Sequence, residues 1–163
     1  FSVRIEESRE NPSMLIGVCN EAGTCGWGLF PYDGKLYRYS RTADGQPNYR
    51  APPPEGWPDG HDTQVMVNEA GQPSNLNQRA NGAVIEVVVD HSDGSLAFGV
   101  NGAPPRRMPE VWPPGYRPWG HRNEEGHVPP AKVPFKFPQG AQLRPWARLS
   151  YTADRVRFVR GYL

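Results

Sequence analysis

Residues 82–102, GAVIEVVVDHSDGSLAFGVNG, constrain the fold of this chain more than any other stretch. Residues 84–89 are rich in β-branched side chains. Leu96, Phe98 and Val100 alternate with Ala97 and Gly99, a period of two that belongs to strands. Asp93-Gly94 supplies the positive φ that a short hairpin turn needs, and Asn101-Gly102 closes the second strand. The expectation is a β-hairpin.

Similar short pieces recur along the chain, and none shows a helical stripe. Phe1, Val3 and Ile5 alternate with Ser2, Arg4 and Glu6, which predicts a strand with one dry face. Residues 14–19 form a continuous apolar run, as in a strand covered on both sides. Residues 27–30 and 35–40 frame Asp33-Gly34 as a second hairpin, and 65–68 read as a short strand. Near the end, Ala147, Leu149 and Tyr151 alternate with Arg148 and Ser150. Val156 and Phe158 then alternate with Arg157 after a turn at Ala153-Asp154. Many short strands separated by turn residues predict an all-β fold, an antiparallel β-sandwich of two sheets. Trp27 and Trp146, beside the small residues Gly26, Gly28 and Ala147, are expected to fill its core.

Two proline-rich segments interrupt this rhythm. Residues 46–62 carry Pro47, Pro52, Pro53, Pro54 and Pro58 and cannot form a central strand. Residues 103–140 carry ten prolines together with Trp112, Tyr116 and Trp119. A loop that long is normally functional or disordered, and its aromatics suggest that part of it packs on the sandwich.

The 163 residues, 37% of them hydrophobic, suit one domain spanning 1–163. A domain of that size buries roughly 70% of the surface its unfolded chain exposes, so no metal or disulfide staple is required. The net charge of +1, with the charges well mixed, gives no basis for general binding to nucleic acid or acidic membranes. No apolar run approaches the roughly 20 residues of a membrane span. The chain opens at Phe1 in mid-strand without a methionine, so it reads as a fragment of a longer protein. Cys19 and Cys25 read as reduced thiols flanking a loop, and a bridge between them requires Cα atoms within about 7 Å.

Five blocks stand in an order that resembles a SPRY domain: FSVRIEE (1–7), MLIGVCN (14–20), GWGLFPYDGKLYRYS (26–40), the 82–102 hairpin and LRPWARLSYTADRVRF (143–158). They frame everything except the two proline-rich inserts. Each motif alone is weak; the five in order are fairly specific. The resemblance implies a twisted concanavalin-like jelly roll and an intracellular, non-catalytic interaction module, an adaptor or scaffold part of a larger protein. In the SPRY proteins that carry a SOCS box, a short extended peptide docks among loops at one end of the sandwich. A tyrosine in a Gly-Lys-Leu-Tyr segment lines that site, and Tyr37 matches it here. The opposite wall, a Val-Trp-Gly in that family, corresponds to Ser150-Tyr151-Thr152, so tyrosine replaces tryptophan and serine replaces valine.

Residue chemistry agrees with a binding role. Tyrosine offers a large contact area and a hydroxyl for peptide groups at small entropy cost. Tyr37 and Tyr151 are therefore candidate ligand contacts, and one of Tyr37 and Tyr39 is expected to face the core. Arg38 and Arg41 could hold acidic groups in bidentate fashion, although arginines on strands are more often solvated surface charges. Catalysis finds little footing. Neither cysteine has a histidine near it in sequence, and Glu6, Glu7 and Glu86 lack a partner carboxylate at evident spacing. His121, Glu124, Glu125 and His127 cluster in a Pro/Gly-rich loop without metal-ligand spacing. No phosphate loop or nucleophile elbow is present.

The reading is a module that binds a short linear segment of a partner protein, without cofactor, metal or catalytic residues. One rival is a lectin-like module with Trp112 or Trp119 stacked on sugar rings. Another is a structural domain whose groove is filled by its own proline-rich segment.

Overall fold

A computed structural model of the chain describes residues 1–8, 13–42, 44–48, 53–58, 63–66, 68, 72–76, 80–108 and 135–160. Among these residues the protein is all-β, with ten strands and no helix. The strands are β1 (Ser2–Glu7), β2 (Met14–Asn20), β3 (Cys25–Phe30), β4 (Lys35–Ser40), β5 (Thr63–Gln64), β6 (Val84–Asp90), β7 (Ser95–Val100), β8 (Arg106–Arg107), β9 (Leu143–Leu149) and β10 (Arg155–Arg160). They form two antiparallel sheets of five, in the orders β10-β1-β6-β7-β8 and β5-β4-β3-β2-β9. The sheets meet face to face in a β-sandwich, because one buried cluster draws on both. Val3, Ile5, Ile85, Val87, Leu96 and Phe98 come from the first sheet, and Met14, Ile16, Val18, Trp27, Leu29 and Leu36 from the second.

The 82–102 hairpin forms as expected, with Val87 opposite Phe98 and Val89 opposite Leu96. Gly94 takes a φ of 70°, and two aspartates staple the loop. Asp90 Oδ1 accepts from the Ser92 amide and Asp93 Oδ1 from the Ser95 amide, both at 2.9 Å. Hydrogen bonds from Ser95, and then the Arg107 guanidinium, hold the Asp93 carboxyl below its ordinary range. Gly94 has a second duty. Its carbonyl accepts from the Phe137 amide at 2.8 Å, and a Cβ there would fall 2.4 Å from the Phe137 carbonyl oxygen.

That contact brings the end of the long proline-rich segment into the core, where a loop reading does not place it. Phe135 and Phe137 are buried, and Met108 closes the core near the other end of the same segment. Arg106 and Arg107, expected in the same loop, form the edge strand β8. From the first proline-rich segment, Trp57 stacks on Trp27 with ring centroids 5.3 Å apart and planes 12° apart. Phe137 meets both indoles edge-on, at 5.1 and 5.8 Å. Trp27 is fully buried, and its indole N–H donates to the Pro58 carbonyl at 2.8 Å, so its one polar atom is satisfied.

Three further expectations need correction. The short strand is Thr63–Gln64, beside β4, while Val65 and Met66 follow it outside any strand. Tyr151 lies in the β9–β10 turn, not on a strand. Trp146 is not in the core. It pairs with Gly17, two strands from Tyr37, and stands on the outer face of the second sheet. Residues 109–134, with Trp112, Tyr116, Trp119, His121, Glu124, Glu125 and His127, lie outside the described residues.

Replacing Phe137 by Ala should cost about 3–5 kcal/mol, because a large buried ring leaves a cavity between two indoles. Urea unfolding followed by Trp fluorescence measures it. A loss below about 1 kcal/mol would mean that the proline-rich segment is not part of the core.

Candidate functional site

One end of the sandwich is defined by two turns. Leu149 pairs with Met14, Ile16 with Leu29, and Leu29 with Leu36, so the end of β9 lies beside the start of β2, the end of β3 and the start of β4. The β3–β4 turn and the β9–β10 turn therefore project from the same end. These turns carry Tyr32 and Tyr151, 38% and 40% exposed, and β9 ends there on Leu149, 40% exposed.

Tyr37 is held rather than free-swinging. Its hydroxyl donates to Asp33 Oδ2 at 2.6 Å, and the other Asp33 oxygen accepts from the Lys35 amide at 3.0 Å. Its half-buried ring meets Phe30 edge-on at 5.5 Å, and Phe30 meets Tyr32 at 5.9 Å. The β3–β4 hairpin thus presents three linked rings in sequence reach of one aspartate. Across the end, Asp154 fixes the other turn. Its Oδ2 accepts from the Tyr151 amide at 3.1 Å, and its own amide donates to the Tyr151 carbonyl at 3.2 Å. Asp154 is buried, and its Oδ1 has no hydrogen-bond partner among the described residues. Ser150 and Thr152 flank Tyr151 and are exposed. β4 and β9 are separated by β3 and β2, so the two walls stand about 14 Å apart at ordinary strand spacing.

The other two candidates are elsewhere. Arg38 pairs with Trp27 and shares its inward face; it is 5% exposed and donates to Ser40 Oγ at 2.9 Å. Arg41 leaves the far end of β4, where its Nε donates to the Tyr39 hydroxyl at 3.3 Å and its amide to the Thr24 carbonyl. Neither guanidinium joins Tyr37 at the β3–β4 turn. Residues two apart on a strand share a face, so Tyr37 and Tyr39 both stand on the outer face and neither belongs to the inter-sheet core.

On that outer face lies a feature the sequence reading missed. The row Tyr37–Gly28–Gly17–Trp146 places two residues without side chains between two aromatic ones. A Cβ at Gly17 would fall 2.0 Å from the Trp27 carbonyl oxygen, so the two strands leave no room for one. The Trp146 ring crosses to Gly26, where a Cβ would lie 3.0 Å from it, and reaches Tyr39 at 5.7 Å. Arg148 and Arg41 lie over the Tyr39 ring at 4.8 and 5.7 Å, within cation–π range. Tyr39 is only 4% exposed as a result of this outer packing, not of the core. Glycines at facing positions of β2 and β3 were the available signal for an indole laid across them.

Among the described residues no group of three or more His, Cys, Asp or Glu could hold a metal ion, and no helix is long and apolar enough to cross a membrane. Neither cysteine is in a disulfide, and both are buried. Cys19 pairs with Gly26, the neighbour of Cys25, so the two thiols point to opposite faces of the sheet and cannot bridge without moving a strand. At the far end, an open hollow of about 610 Å³ lies between Glu21, Trp57 and the 138–142 turn. Compared with protein-family models, curated proteins and solved structures, the chain matches none.

Burial pushes the Cys19 thiol up, with Arg144 pulling weakly the other way. Folding therefore favours the neutral thiol. The stability this contributes is complete below the ordinary thiol value of about 8.5 and is lost as pH rises through the raised folded value. Urea midpoints of the wild type should fall more steeply above about pH 8.5 than those of Cys19→Ala. Parallel profiles would contradict the assignment.

Proposed function

We propose that this chain is a protein-interaction module of the SPRY type, which holds a short extended segment of a partner protein across the end that carries Tyr37 and Tyr151. The supporting observation is the concentration of exposed apolar side chains there. Of six exposed large hydrophobics among the described residues, Tyr32, Leu149 and Tyr151 cluster at this end, on turns fixed by Asp33 and Asp154. Rings already held in place lose little freedom on binding, so more of the contact energy appears as affinity. A rigid sandwich carrying its recognition residues on turns is the usual division of labour between scaffold and site.

The spacing suits an extended peptide. The two walls, about 14 Å apart, are spanned by four to five residues at roughly 3.3 Å each. The aromatic rings would bury apolar side chains of that segment, and the Ser150 and Thr152 hydroxyls would bond its main chain. Such a module needs no cofactor and performs no reaction. Arg38, sealed between the sheets, is a structural residue in this reading, and Arg41 lies too far along β4 to contribute. The SPRY resemblance assigns the module to the cell interior, as a recruiting part of a longer protein.

Peptides selected from a random display library against the wild-type chain provide the test. Tyr37→Ala combined with Tyr151→Ala should weaken the best binders at least about tenfold, as expected for aromatic anchors. Arg41→Ala should leave them unchanged. Unaltered affinity in the double variant, with an unchanged circular dichroism spectrum, would remove this end as the site.

A further inference from the structure

We propose a second binding site, independent of the peptide-binding end, for an apolar molecule that carries one carboxylate. It is the hollow of about 440 Å³ between Val65, Met66, Ser74, Asn75 and Leu76 on one side and the edge formed by β7 and β8 on the other. That volume falls in the range of small-molecule sites, roughly 300–1,000 Å³. The floor is core surface, with Val65, Leu76 and Phe98 contributing to it.

Arg106 stands at the hollow. β8 pairs it directly with Phe98, so its side chain leaves the strand on the core-facing side of the sheet. It has no hydrogen bond or ion pair among the described residues. The contrast with Arg107 is direct: on the opposite face, Arg107 meets Asp93 at 2.8 Å and Asp90 at 3.4 Å. Asn101 adds a donor. It takes a left-handed φ of 54°, and its Oδ1 accepts from the Val84 amide at 2.9 Å, which leaves its Nδ2 for another acceptor. The Asn75 amide also lines the hollow, and among the described residues no acidic side chain does.

One guanidinium and two amide donors complement a carboxylate, for which arginine's planar fork offers two parallel hydrogen bonds. The apolar floor complements a hydrocarbon body. Phosphate would suit the cation but gain nothing from Val65, Leu76 and Phe98. A charge on the inner side of an edge strand also discourages unwanted strand pairing. That role alone requires no affinity for acids, so the two readings separate experimentally.

The 15N-labelled chain is titrated with octanoate and with octanol, and amide shifts of Gly99, Val100 and Asn101 are followed. Octanoate should shift them saturably, with octanol at least about tenfold weaker, the loss expected for a charge-assisted pair. Arg106→Gln should lower octanoate affinity by a similar factor. A peptide ending in leucine, as free acid and as amide, identifies the source of the carboxylate. Binding of the free acid but not the amide would point to a polypeptide terminus, and binding of octanoate alone to a free acid. Equal affinity for octanoate and octanol, unchanged binding by Arg106→Gln, or no saturable shift with either acid would overturn the proposal. The first comparison uses only the wild-type chain, so it holds whether or not the variant folds.

Discussion

Stacking of Trp57 on Trp27, with Phe137 wedged edge-on against both, is the contact on which the rest of this structure depends. Trp27 is the only one of these rings on a central strand; Trp57 and Phe137 arrive from the two proline-rich segments. Proline interrupts a ladder, so among the described residues strand pairing in these segments is confined to the two-residue strand β8 and the Arg41–Pro47 bridge. Their remaining anchors are ring packing and single hydrogen bonds, Trp27 Nε1 to the Pro58 carbonyl and the Phe137 amide to the Gly94 carbonyl. The consequence is asymmetry. The chain's own aromatics fill the interior towards the β2–β3 loop, while the opposite end keeps its rings exposed on two stapled turns.

The sandwich was legible from sequence because its signals are local. Alternation in β1, β6 and β7, the unbroken apolar run of β2 and the Asp-Gly turns each depend on neighbours only a few residues away. Errors arose where the deciding partner is remote. Phe135 and Phe137 look like loop residues among prolines, and only the Gly94 turn, some forty residues earlier in the chain, makes them core. Trp146 beside Ala147 looks like a core indole; the register of β9 on β2 puts it over Gly17 and Gly26 instead. Tyr37 and Tyr39, two residues apart on β4, share the outer face by the strand period alone.

The candidate site was legible only in part, for the same reason. Tyr37 on β4 and Tyr151 on the β9–β10 turn lie at one end and are exposed to different degrees, but nothing in the sequence fixes the strand order that sets them apart. Arg38 follows Tyr37 in sequence and is sealed on the opposite face, where Ser40 accepts its hydrogen bond. Asp33 and Asp154, which hold the two tyrosine-bearing turns, were visible only as turn formers. Their role emerges from contacts four and three residues away that depend on how each turn closes.

If the filled end and the open end divide the work in this way, a bound peptide must announce itself at one of them. Mapping amide shifts of the 15N-labelled chain as a selected peptide is added tests this most directly. Perturbations confined to residues 31–37 and 149–152 are what the account predicts. Perturbations centred instead on residues 20–24 and 137–142, with the two tyrosine-bearing turns silent, would contradict it.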